Sequence, residues 1–180
     1  MSRGYNKIFL GILFTLFNIN LFGIKILPTF VAILIIASGI KILIEESNEE
    51  YFKKALIFNN IRVVITILLF VLDFTPINEV INSKNIISQI IININLVLDL
   101  ITMTLLLKGS SEVFNNNEEI SLYCNKRTSL YICIFSSLII IFNLTYIFLN
   151  QGMDVIIALP MLVIWLWVVF IFRRLRSESL

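Results

Sequence analysis

Six long apolar runs constrain what this chain can become more than any other feature. They are Ile8–Ile24, Ile26–Ile44, Leu56–Phe74, Ile86–Leu107, Leu130–Leu149 and Val155–Phe172. Each holds about 17–22 residues, enough for a helix to cross a hydrocarbon core of about 30 Å. Lipid offers the backbone no hydrogen-bond partner, so a span is a helix or a strand of a closed barrel. Barrel strands alternate apolar and polar residues, and these runs do not alternate. The expected fold is therefore all-α, a single domain over residues 1–180 built as an integral membrane bundle of six transmembrane helices. The first run is long and is followed by no Ala-x-Ala-like site, so it is expected to insert as an uncleaved helix.

Composition supports this and excludes other classes. Of 180 residues, 58% are hydrophobic and 14% charged. A soluble domain carries about 45–50% apolar and about 25% charged residues. A soluble enzyme, a disordered chain and a nucleic-acid binder are all disfavoured. The net charge of +2 implies no acidic partner.

The basic residues orient the runs. Arg3, Lys7, Lys41, Lys53, Lys54, Lys108, Lys126, Arg127, Arg173, Arg174 and Arg176 fall on one side of a six-span topology. Only Lys25 and Lys84 fall on the other, and Arg62 lies within a run. Excess Lys and Arg mark cytoplasmic segments, so both chain ends are expected in the cytosol. Asn20 and Gly23 can turn the chain after the first run, and Pro28 suits the first turn of the second helix. Asp154 can cap the sixth helix, and Pro160 should kink it. Glu49/Lys53 and Glu50/Lys54 are spaced to let the second helix run on into the cytosol. Lys108–Thr128 is the longest expected loop. It is either a flexible connector or a recognition element for a partner.

Polar residues inside the runs form stripes. Asn59, Arg62, Thr66 and Asp73 share one face of the third helix at 100° per residue, and Ser88, Asn95, Asp99 and Thr102 share one face of the fourth. In an antiparallel pair, residues of constant index sum lie at equal depth. Asn59 with Thr102, Arg62 with Asp99, Thr66 with Asn95, and Asp73 with Ser88 all share one sum. Four polar pairs are thus expected along one seam, with Arg62 and Asp99 at its centre. An unpaired charge near the bilayer centre costs about 2.5–3.5 kcal/mol, which opposite charges at one depth relieve. Two readings are open: an ion pair that registers the helices, or a polar site or pathway for a solute. Arg62 could instead snorkel to the interface. The candidate ligand-binding residues are Arg62, Thr66, Asn95, Asp99 and Asn143. Gly11, Thr15 and Asn18 on the first helix, Thr29, Ala32 and Gly39 on the second, and Ser129, Ser136, Asn143 and Asn150 on the fifth read as packing surfaces of the kind small and polar residues form in lipid.

The residues needed for catalysis are lacking. With no His there is no Ser/His pair and no His-Glu-x-x-His zinc site. Asp73 and Asp99 lack the Gly-x-Gly-Asp context of intramembrane aspartyl proteases and lie toward opposite faces. No P-loop, Rossmann glycine pattern or metal-ligand spacing of Cys occurs. No cofactor, metal or catalytic residue is expected. Cys124, read in a polar loop, and Cys133, in an apolar run, are expected to stay free thiols.

The segment Phe17-Asn18-Ile19-Asn20, then Leu27-Pro28-Thr29-Phe30 and Gly39, resembles the N-terminus of small multipass membrane proteins of Firmicutes. That group tends to read Phe-(Asp/Asn)-Ile-Asn, a turn, then Ile-Leu-Pro-Asp-Phe-Ile-Gly-Tyr; here Thr29 replaces the Asp and Ala32-Ile33 replaces Gly-Tyr. The resemblance implies a bacterial inner-membrane protein and transfers no site residue. The size and six spans are also similar to the substrate-binding subunits of energy-coupling-factor transporters, although Gly11-Ile12-Leu13-Phe14-Thr15 stands where those carry Ala-x-x-x-Ala. Two functions follow as expectations: solute binding or transport through the polar seam, or a structural or regulatory subunit docking a membrane or cytoplasmic protein through its inner loops. The expected partners are the lipid bilayer and a membrane or cytoplasmic protein; nucleic acid is not expected.

Overall fold

The computed structural model describes residues 1–16, 20–21, 24–25, 28–72, 86–148 and 154–179. Within them lie six helices: α1 (Ser2–Leu16), α2 (Thr29–Ser47), α3 (Glu50–Leu72), α4 (Ile86–Val113), α5 (Glu118–Phe148) and α6 (Asp154–Glu178). Between α1 and α2, Asn20–Leu21 and Ile24–Lys25 pair as a two-residue antiparallel bridge. Each helix packs on the next in sequence, and α6 returns to α1, so the six form a closed ring.

The boundaries differ from the apolar runs in an instructive way. The α1 helix begins at Ser2 and ends at Leu16, and Asn20, Leu21 and Ile24 of the first run belong to the β bridge. Pro28 is the N-cap of α2, one position before its first turn. The α2 helix continues past its apolar run to Ser47 and stops at Asn48, whose φ of 54° is left-handed. Asn tolerates that conformation, and its N–H closes the helix onto the Ile44 carbonyl at 2.7 Å. The chain therefore reverses at once, and Glu50 and Lys54 pair on α3, not on an extended α2.

The expected loop Lys108–Thr128 is mostly helix. The α4 helix runs to Val113, a turn occupies 114–117, and α5 starts at Glu118. Asn117 caps α5 through Oδ1, which accepts the Ile120 N–H at 3.4 Å. Ser111 Oγ bridges to Ser121 Oγ at 3.0 Å and ties the two helix ends together. Polar residues there continue the two helices, and the expected partner-docking loop shrinks to a turn. Cys124 consequently lies on α5 and is buried, while Cys133 is exposed; both are free.

Among the described residues, three helices are long and apolar enough to cross a membrane: Glu50–Leu72, Gln89–Val113 and Glu118–Thr145. The expectation of six such helices holds in part: six helices form, and three of them qualify by length and composition. The α1 helix has 15 residues, and α2 carries Lys41, Glu45 and Glu46. The α6 apolar stretch ends at Arg173. Asp73, its pairing with Ser88 and the capping by Asp154 fall outside the described residues or side chains.

Much of the core among the described residues lies at one end of the ring. Tyr5, Phe52, Leu106, Tyr131, Phe135 and Phe172, from five of the helices, are fully buried. The same end collects the α1 N-terminus and the α6 C-terminus: Arg176 donates to Asn6 at 2.8 Å, and Tyr5 stacks on Phe114 of the α4–α5 turn. The α1–α2 contact is made by backbone. Gly4 opposes Gly39, and Gly11 opposes Ala32, in one antiparallel register. This is the small-residue packing surface expected from Gly11, Ala32 and Gly39.

Candidate functional site

The α3 helix is apolar outside and polar inside. Ile57, Val64, Leu68 and Val71 share one face and are each more than half exposed. The opposite face carries Asn59 and Arg62, at 0% and 6% exposure. A soluble helix has the reverse arrangement. The inversion suits a helix whose outer solvent is hydrocarbon, and it brings polar chemistry to the bundle interior.

Arg62 Nη1 of α3 forms an ion pair with Asp99 Oδ1 of α4, and both side chains are buried. The central pair of the expected seam is therefore present. Arg62 lies eight residues beyond Lys54, and Asp99 nine before Lys108, so the pair sits about 12–14 Å along the helices from those lysines. Tyr131 of α5 is 1% exposed and lies within electrostatic range of Asp99 and Arg62. Asn59 donates through Nδ2 to the Ile33 carbonyl of α2 at 3.1 Å. Four helices thus contribute to one polar cluster.

The cluster is not saturated. Beyond the ion pair, Arg62 Nε, Asp99 Oδ2, Asn59 Oδ1 and the Tyr131 hydroxyl are buried with no hydrogen-bond partner among the described residues. Such groups are rare in folded proteins, because each costs about 1–3 kcal/mol unpaired.

Of the other expected pairs, Asn59 with Thr102 and Thr66 with Asn95 form no hydrogen bond with each other. Thr102 Oγ1 donates to Leu98 O at 2.7 Å, and Asn95 Nδ2 to Ile91 O at 3.1 Å, each one turn back on α4. Thr66 Oγ1 does the same on α3, to Arg62 O at 2.8 Å. A short side chain on a helix finds its own carbonyl four residues back more readily than a partner across the gap. Among the described pairs, Arg62 and Asp99, whose charges a backbone carbonyl cannot neutralise, are the ones that meet.

Asn143 belongs to a second cluster. It accepts from Asn93 Nδ2 at 2.7 Å and from Gln89 Nε2 at 3.1 Å, and donates to Asn93 Oδ1 at 2.8 Å. Gln89 and Asn93 were not among the expected site residues. Their spacing of four on α4 is the signal that would have found them. Asn93 lies about a third of a turn around the helix from Asp99. So α4 presents one polar face to α3 and another to α5. Membrane hydrogen bonds of this kind contribute about 0.6–1.7 kcal/mol each, enough to register two helices.

The class these features define is a helical bundle with lipid-suited outer faces and an apolar core that encloses two polar clusters. Comparison with protein families, characterised proteins and solved structures returns no match.

Proposed function

We propose that the chain is a six-span bacterial inner-membrane protein with both ends on the cytoplasmic side, and that it binds or carries a small polar solute inside the bundle. Arg62 and Asp99 are the ligand contacts, with Tyr131 and Asn59 completing the site. The resemblance of the N-terminal segment to small Firmicutes membrane proteins agrees with that location. The common end of α1 and α6, together with the basic residues there, agrees with the orientation.

One observation carries the reading: the unspent hydrogen-bond capacity of Arg62 Nε, Asp99 Oδ2, Asn59 Oδ1 and the Tyr131 hydroxyl. A pair that merely registered two helices would gain by spending it. A solute with an acceptor for Arg62 and a donor for Asp99 satisfies both sides at once. Thr66 and Asn95 spend their donors on their own helices and contribute less. Asn143 acts through its own cluster, by joining α4 to α5.

The test compares what the purified proteins retain. Wild-type protein and the double variant Arg62→Met with Asp99→Leu are isolated in mild detergent, denatured, and their released small molecules analysed by mass spectrometry. A polar molecule released in stoichiometric amount by wild type and lost from the double variant is expected. Identical extracts from two folded proteins contradict a solute site.

A further inference from the structure

The end of the ring where α5 meets α6 holds an arginine that is fixed in place but not neutralised. The Arg127 guanidinium of α5 lies 5.1 Å from the Tyr123 ring centre and 5.4 Å from that of Trp167 on α6. Arg174 lies against the same Tyr123 ring at 4.3 Å. The two arginines differ in their counter-charges. Arg174 is paired with Glu119 at 3.1 Å and Glu178 at 3.8 Å. Arg127 makes no ion pair and no hydrogen bond among the described residues.

Stacking on rings engages a guanidinium through its faces. Its N–H donors lie in the plane and stay free at the edge, in the fork geometry that matches a phosphate. Contact with rings also removes much of the rotamer freedom that a free arginine would lose on binding. Lys126 and Arg173, both exposed, add positive charge on the two helices.

The level of this group names its ligand. The apolar run of α5 begins at Leu130, directly after Arg127, and that of α6 ends at Phe172, just beyond Trp167. Tyr and Trp concentrate at the headgroup boundary of membranes, where lipid phosphates are abundant and soluble anions are not. We infer that Arg127, held by Tyr123 and Trp167, is a binding site for the phosphate of an anionic lipid at the α5–α6 seam. This site is separate from the Arg62–Asp99 cluster and does not depend on any solute there.

The test uses the full chain, delipidated in detergent and given phosphatidylglycerol or phosphatidylcholine, with bound lipid counted by native mass spectrometry. Wild type is expected to retain phosphatidylglycerol preferentially. Arg127→Gln is expected to lower that retention about fivefold, the effect of one basic residue at an anionic surface. Arg173→Gln, which lacks the ring contacts, is expected to lower it less. Equal retention by Arg127→Gln and wild type overturns the site, and an equal loss in Arg173→Gln reduces it to diffuse charge. A second measurement covers the case where Arg127→Gln does not fold. In Trp165→Phe protein, Trp167 is the remaining tryptophan. Its emission is expected to shift with phosphatidylglycerol and not with phosphatidylcholine. The same shift with both lipids, or with inorganic phosphate alone, contradicts an anionic-lipid site.

Discussion

Replacing Asp99 with Leu is expected to destabilise the bundle by about 3–5 kcal/mol, because it strands the buried Arg62 guanidinium. Arg62→Met should cost a comparable amount by stranding the carboxylate. The double variant should cost far less than the two singles summed. Removing both partners leaves apolar side chains in an apolar interior and no unpaired charge. A coupling of about 1–3 kcal/mol, read from denaturant unfolding in micelles, is the expected sign of direct contact. Single costs that add to within about 0.5 kcal/mol contradict it. This cycle also separates stability from function. The double variant keeps the fold while losing both contacts of the proposed solute.

The second large effect is expected where α1 crosses α2. A Cβ at Gly11 would stand 2.5 Å from Ile36 Cγ1, 2.9 Å from the Ala32 carbonyl and 3.0 Å from the Ile36 nitrogen. Two of those atoms are backbone and cannot rotate away. A Cβ at Gly39 likewise meets the Gly4 carbonyl at 2.8 Å and the Ile8 nitrogen at 3.0 Å. At Gly4 the nearest atoms, at 2.7 and 2.8 Å, belong to the Leu43 side chain rather than to backbone, and the Gly39 carbonyl is farther off, at 3.1 Å. Gly11→Ala and Gly39→Ala should therefore each cost about 1–3 kcal/mol or more, as overpacking does. That outweighs the gain of about 1 kcal/mol that Ala brings to a helix interior. Gly4→Ala should cost less than either. Thermal unfolding of the three variants checks the order. Stabilisation by Gly11→Ala would mean the two backbones do not touch.

These two features also show what sequence could reveal. Index sums found Arg62 and Asp99 because opposite charges in lipid have few alternatives to each other. The same arithmetic failed for Asn59 with Thr102 and for Thr66 with Asn95. Uncharged polar side chains have alternatives: the carbonyl four residues back, or in Asn59 the Ile33 carbonyl of α2. Tyr131 escaped notice because an aromatic in an apolar run reads as packing, and only the fold buries its hydroxyl within electrostatic range of the charged pair. Gln89 and Asn93 escaped because one polar stripe per helix was sought, whereas α4 sits between two neighbours and needs two. The small-residue face of Gly11, Ala32 and Gly39 was legible from spacing alone.

Helix ends were the other limit. Apolar runs report where a helix meets lipid, not where it stops. Thus α3 starts at Glu50, six residues before its run, and α4 ends at Val113, six after it. The polar stretch around Asn115–Asn117 supplies a turn and a cap, as its residue types suggest. The residues on either side of it stay helical because α4 and α5 pack against each other there, through Ser111 and Ser121.

The side of the membrane on which each helix end lies decides the depth of Arg62 and Asp99 and the leaflet that Arg127 meets. Paired reporters that are active on only one side of the membrane, fused after Asn150 and after Leu180, measure this directly in cells. Six spans with both ends in the cytosol require the fusion after Asn150 to report the outside and the fusion after Leu180 to report the cytosol. Two fusions reporting the same side would contradict the topology, and with it the placement of the polar site within the bilayer.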